Sequence, residues 1–155
     1  MPVQLKKAKL RKLTEQLGKD YVAYVGIMGG NATSLHEHSD YTNAQIGAVH
    51  EFGSISSNIP ARSFIRMPLE MKLPDWYRRN TKNYINACIN GSKQKFYTRL
   101  GLEAEEIIQE AFETRGYGQW RENTPATIAR KGSDMPLVDT GALRASISSE
   151  VVNDN

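Results

Sequence analysis

Three stretches hold side chains whose types and spacing could do chemistry. The first is His36-Glu37-His38, with Asp40 just after it and His50-Glu51 further on. Two histidines separated by one residue point the same way on a strand, as zinc ligands can. These two sit in a polar, loop-like stretch with no cysteine partner and no HExxH spacing, which reads as a surface loop, so no metal is expected. The second stretch is Val138-Asp139-Thr140-Gly141-Ala142, the pattern around the paired carboxylates of retroviral-type aspartic proteases. That fold needs most of its strands after the motif, whereas only residues 142–155 follow here, and Leu143-Arg144-Ala145-Ser146 is polar and helix-like. The third is Gly26-Ile27-Met28-Gly29-Gly30, glycine-rich but without the dinucleotide pattern or a helix directly after it. There is no GxSxG and no lysine in a phosphate loop. The single Cys88 falls on an apolar helical stripe, where a buried thiol is inert. The expectation is a protein that is not an enzyme and uses no cofactor.

The elements that would position these residues alternate between helix and short strand. Leu10, Leu13 and Leu17 predict a helix over 3–17, stopped by Gly18. Tyr21 to Met28 is rich in β-formers and apolar on both faces, so a central or sandwiched strand is expected. Thr42 with Gln45 forms a capping box for a short helix carrying Ile46, Val49 and Phe52 and ending at Gly53. Ser54 to Asn58 is a loop by composition. A helix starting at Ala61 would put Arg62 and Arg66 on one face, and Pro68 and Pro74 then bracket a connector. A helix over 75–90 would carry Tyr77, Tyr84 and Cys88 on one stripe, with Ile85 and Ile89 beside it. The longest helix is expected at about 92–115, with Phe96, Leu100, Ala104, Ile107 and Ala111 as its core face, widened by Ile108 and Phe112. Gly116-Tyr117-Gly118 ends it, and a short helix from Pro125 to Arg130 lies in the connector that follows. Near the C-terminus, Asp139 or Thr140 can cap a turn through Gly141 into a helical segment with Leu143 and Ile147 on one face and Arg144 on another. Alternation from Ile147 to Val151 predicts a last strand. The fold class is α+β: a small antiparallel sheet packed with helices, in one domain spanning 1–155 with a helical N-terminal extension over about 1–19.

Composition narrows the function classes further. The 155 residues are 39% hydrophobic, a low share for a compact globule, with a net charge of +3. No apolar run reaches the length of a membrane span and no signal-peptide core is present, so a soluble, cytosolically made protein is expected, with no membrane partner. One cysteine excludes an internal disulfide. The charges are segregated: residues 1–20 and 72–99 are basic, and Glu103, Glu105, Glu106, Glu110 and Glu113 follow with no base among them. Such zones suit nucleic-acid binding, contact between one subunit's acidic face and another's basic face, or simply solvated helices. Trp76, Trp120 and the tyrosines do not interleave with the basic residues as a base-stacking platform would.

Three groups of segments together resemble a known family. They are Val25-Gly26-Ile27; then Ile46 to Gly53 and Ile59 to Arg66; and Asn123 to Gly132 with Pro136 to Arg144. This combination resembles the virion-morphogenesis and tail-completion proteins of tailed bacteriophages, the Mu G-like group and its head–tail joining relatives. In many members the Thr-Gly-x-Leu-Arg segment precedes the Glu-Phe-Gly and Pro-Ala-Arg segments, whereas here Thr140-Gly141-Ala142-Leu143-Arg144 follows them. The resemblance implies a structural virion protein at the neck or the top of the tail, assembled in the host cytoplasm. It would form a homo-oligomeric ring, hexameric or else dodecameric, that completes the tail and joins it to the DNA-filled head. Its partners would be other neck, connector and tail-tube proteins, with genomic DNA passing through the channel. On this reading Glu51, Phe52, Arg62, Phe64 and Arg66 are subunit-interface candidates, the loop 54–60 with Arg62 and Arg66 positions an extended arm against another subunit, and Asp139, Thr140, Gly141 and Arg144 hold a structural turn. The alternative is a small basic nucleic-acid-binding protein using the helices at 3–19 and 76–99.

Overall fold

The computed structural model describes residues 2–36, 39–137 and 141–154, and the side chains of these except 2–6 and 16. Its order is α1 (Pro2–Leu17), β1 (Tyr21–Ile27), α2 (Gly29–Thr33), α3 (Asn43–Phe52), α4 (Arg66–Asn90), α5 (Lys93–Glu113), α6 (Pro125–Lys131), α7 (Ala142–Ala145) and β2 (Ile147–Asn153). The architecture is α+β, as the alternating patterns imply.

The second and the last elements make the sheet. β1 and β2 pair antiparallel from Tyr21 opposite Asn153 to Ile27 opposite Ile147. Among the described residues this sheet has only two strands, so β1 is neither central nor sandwiched. Its apolar residues on both faces have a simpler cause. Val25 and Ile27 pack on one core cluster and Ala23 on the other, while Tyr24 stays exposed on the opposite face. Such a ribbon is marginal alone and needs a helix to cover it. α5 is that helix, and Gly101 permits the close approach: a Cβ there would lie 2.8 Å from the Ser149 hydroxyl oxygen.

α5 also carries the core that its periodicity predicts. Phe96, Leu100, Ala104, Ile107, Ile108, Ala111 and Phe112 are all buried. Two clusters lie along it. Phe112 contacts Phe64 and Trp120 at ring-centroid distances of 5.5 and 5.6 Å, and this cluster includes Ile108, Leu143 and Ile147. Phe96 meets Trp76 and Tyr84 at 5.6 and 5.2 Å in the second. Offset and edge-on geometries of this kind add to the burial free energy.

α4 corrects two expectations. It begins at Arg66 rather than Ala61, and it runs unbroken through Pro74, so the longest helix is α4 with 25 residues and not α5 with 21. Pro68 lies in the first turn, where the missing N–H would have had no helical partner anyway, and it is fully buried. Pro74 does remove an interior hydrogen bond, a cost of about 3 kcal/mol that packing must offset. Leu69 and Leu73, one on each core cluster, and Trp76 after the proline anchor the helix on both sides of it. The buried stripe of α4 is accordingly Trp76, Asn80, Ala87 and Cys88, while Tyr77 and Ile85 are exposed. Gly29–Thr33 form the one-turn helix α2, so a short helix does follow the glycine-rich stretch, where none was expected. α1 lies against α4, yet Leu10 and Leu17 remain more than half exposed.

Candidate functional site

The segment from His50 to Met67 joins α3 to α4 and gathers the residues that the motif comparison singled out. α3 opens with the expected capping box: Thr42 Oγ1 accepts from Gln45 N–H, and Gln45 accepts from Thr42 N–H at 2.9 Å. At its other end Glu51 points into the molecule. Its carboxylate accepts hydrogen bonds from the backbone N–H groups of Phe64 (2.8 Å), Ile65 (3.0 Å) and Arg66 (3.2 Å) and from the Ser63 hydroxyl (2.6 Å). These are the orphan donors at the start of α4, whose N-cap position is Ile65 and supplies no side-chain acceptor. A carboxylate at a helix N-terminus is favoured by the macrodipole as well. Ser63 Oγ in turn accepts from Met67 N–H at 2.9 Å. Glu51 therefore caps a helix that begins 15 residues later in the chain.

Arg62 does the equivalent work for the C-terminal half. Its backbone N–H donates to the His50 carbonyl at 2.7 Å, holding it beside α3. Its guanidinium donates to the carbonyls of Arg121 (2.7 Å) and Glu122 (3.1 Å) and to Asn123 Oδ1 (3.2 Å). Asn123 then donates to the carbonyls of Asp134 and Met135. Trp120 Nε1 donates to the Ser63 carbonyl at 2.9 Å, closing the junction over Phe64. Burial, with Arg121 nearby, moves the Arg62 pKa down from the ordinary arginine value.

Between these anchors the chain makes a tight turn. Ser54 and Ile59 exchange two backbone hydrogen bonds of 2.9 Å, and Asn58 N–H donates to the Ile55 carbonyl at the tip. The loop over 54–60 is thus a short closed hairpin turn. Gly53 starts it with φ of 78°, where an added Cβ would sit 2.8 Å from Ala61 N. Ile55 on this turn lies fully in solvent, and Phe52, the last residue of α3, is 73% exposed. The turn forms one wall of an open cleft of about 1210 Å³ whose lining includes His50, Ile55, Arg62, Arg121, Arg130 and Leu143.

Of the five interface candidates, Glu51, Arg62 and Phe64 are buried inside this chain, where they hold the junction and the core. Phe52 and Arg66 reach the surface, and Arg66 lies 3.8 Å from Glu70 in an exposed pair. Of the turn residues, Asp139 and Thr140 lie outside the described residues. Gly141 adopts φ of 83° at the start of α7, and Arg144 bonds Gln109 and Glu113 of α5, tying the last turn to the long helix.

Among the described residues, His36 and His50 are not part of a metal-binding geometry. His36 Nδ1 is 2.7 Å from Asn43 Oδ1, and His38 and Glu37 lie outside the described residues. Among the described residues no group of three or more His, Cys, Asp or Glu side chains is placed to hold a metal ion. His50 has a buried Nδ1 without a hydrogen-bond partner among the described residues. Burial first, and then the nearby Arg62 charge, lower its pKa to about 4. Cys88 is a buried thiol, as its stripe implies.

Sequence reasoning missed the cap made by Glu51. The available signal was a helix start at Ile65-Arg66 with no Ser, Thr, Asp or Asn at its N-cap, and an acid on the preceding helix within reach. The sequence matches no protein-family model, and neither a curated protein nor a solved structure shows significant similarity to it. Among the described residues no helix is long and apolar enough to cross a membrane.

Proposed function

We propose that this chain is a structural protein of a tailed-phage virion, placed at the neck or the top of the tail, where it assembles as a ring that completes the tail and joins it to the head. The observation that carries the reading is the hairpin turn at 54–59. A turn braced by two backbone hydrogen bonds displays Ile55 and Phe52 to solvent beside an open cleft. Large apolar side chains fixed in this way are costly to hydrate and suit burial by a neighbouring subunit. The motif residues that suggested the family support the same reading in a second way. Glu51, Arg62 and Ser63 fix the turn to α3, α4 and the 121–123 connector, so its position is set before any partner arrives.

The test is the assembly state of the purified chain by negative-stain electron microscopy and mass photometry. The parent protein is expected to form rings, and Phe52→Asp with Ile55→Asp is expected to leave folded subunits that do not close. A parent that shows no ring at any concentration or in the presence of its tail tube would sink the reading.

A nucleic-acid-binding role is the second reading, and one observation favours it: Lys7, Lys9, Arg11, Lys12 and Lys19 are all exposed on or just after α1. DNA binding whose affinity falls steeply with salt would support it.

A further inference from the structure

The outer face of α5 carries a charge pattern that works against its own helix. Lys95, Arg99, Leu102, Glu106 and Glu110 are exposed, Leu102 by 57%. At 3.6 residues per turn they fall within a stripe about 80° wide and about 22 Å long. The basic pair lies toward the helix N-terminus and the acidic pair toward the C-terminus, the reverse of what the macrodipole favours. Lys95 with Arg99 and Glu106 with Glu110 are also like-charge pairs four residues apart, which destabilise an isolated helix. A helix shaped only for solvent would mix the signs. Among the described residues neither Lys95, Arg99 nor Glu106 has an ion-pair partner of its own, and Glu110 meets only the Tyr117 hydroxyl, at 2.7 Å.

The pattern is self-complementary. When a second copy of α5 is laid antiparallel across this face with a twofold axis between positions 102 and 103, Arg99 meets Glu106 and Lys95 meets Glu110, each twice, with the two Leu102 side chains beside the axis. We propose that α5 is a twofold docking face for a second copy of this chain, with Leu102 as its apolar centre and four intersubunit ion pairs around it. An isologous contact of this kind uses the same patch on both subunits. The charges that oppose one helix's dipole then lie beside the opposite-signed charges and the reversed dipole of the other. This contact is separate from ring closure, which needs two different patches per subunit, and it does not rest on the neck reading. It pairs free subunits or joins two rings face to face.

Charge exchange tests it on the full chain by sedimentation equilibrium at low and high salt. Lys95→Glu with Arg99→Glu makes the stripe wholly acidic, and Glu106→Lys with Glu110→Lys makes it wholly basic. Each variant is expected to weaken pairing by roughly tenfold or more. An equimolar mixture of the two is expected to form heterodimers, because every contact is then between opposite signs. The variant carrying all four changes is expected to pair like the parent, since the exchange restores each contact in reverse. Circular dichroism on each variant establishes that it is folded. A parent that stays monomeric across the concentration range, an acidic variant that pairs as tightly as the parent, or a folded fourfold variant that does not recover would each overturn the proposal. Phe52→Asp with Ile55→Asp leaves this pairing intact, so loss of rings and loss of the twofold contact are read separately.

Discussion

Removing the Glu51 carboxylate should be the most damaging single polar change in this chain. Glu51→Ala takes an acceptor away from three backbone N–H groups and one hydroxyl, all at the junction between α3 and α4. The Phe64 donor is buried, and those of Ile65 and Arg66 are partly so. Hydrogen bonds to a charged group contribute about 1.5–3 kcal/mol each, and buried donors left unpaired cost about 1–3 kcal/mol. These effects overlap, so the expected loss is about 3–5 kcal/mol, the upper end for point changes and a large part of a typical domain's stability. For a chain of this size that lowers Tm by about 10 °C or more. Glu51→Gln keeps the shape but puts an NH2 group against N–H donors, and should lose about half as much. Urea unfolding followed by circular dichroism gives the free energy. Amide hydrogen exchange supplies the local readout, with Phe64, Ile65 and Arg66 losing protection in the Gln variant before α5 does. A loss below about 0.5 kcal/mol in Glu51→Ala, the range of ordinary surface changes, would refute the capping argument.

Two further outcomes follow from the same geometry. His50 has a folded pKa near 4 against 6.5 when unfolded, so between these values the unfolded chain holds the extra proton. Its contribution to stability is whole above pH 6.5 and is lost as pH falls toward 4, with a limiting slope of about 1.4 kcal/mol per pH unit. His50→Gln should flatten the unfolding free energy across that window, measured in urea at half-unit steps of pH. Gly101→Ala gains about 1 kcal/mol in helix propensity, but its Cβ would lie 2.8 Å from Ser149 Oγ and 3.0 Å from Ser149 Cβ. Overpacking of about 1–3 kcal/mol should outweigh the gain, so Tm falls, and a rise in Tm would show that β2 yields easily.

What could be read from the sequence follows the physics of each element. The apolar core face of α5 from Phe96 to Phe112 was legible because it repeats one apolar stripe over more than four turns, a pattern with no competing reading. The box of Thr42 and Gln45 and the stops at Gly18 and Gly53 were legible because caps are local. α4 was not. Its start is defined by Glu51, a residue on another helix, and its passage through Pro74 depends on contacts made by Leu69, Leu73 and Trp76. Both are tertiary causes that no window along the chain contains. The same holds for Arg62, whose three acceptors lie about 60 residues away. Several of the residues that carried the family resemblance, Glu51, Arg62 and Phe64 among them, thus mark a junction inside the chain, while Phe52 and the nearby Ile55 are exposed. Two strands paired from opposite ends of the chain were each visible, but their pairing, which leaves β1 with a single neighbour, was not.

The proposed place at the junction of head and tail is best examined by electron microscopy of lysates from the phage or prophage with this gene deleted. Filled heads lying apart from tails, or tails of irregular length, are expected, with restoration when the parent gene is supplied and none with Phe52→Asp and Ile55→Asp. Normal, infectious virions from the deletion would contradict it and turn attention to the basic residues of α1.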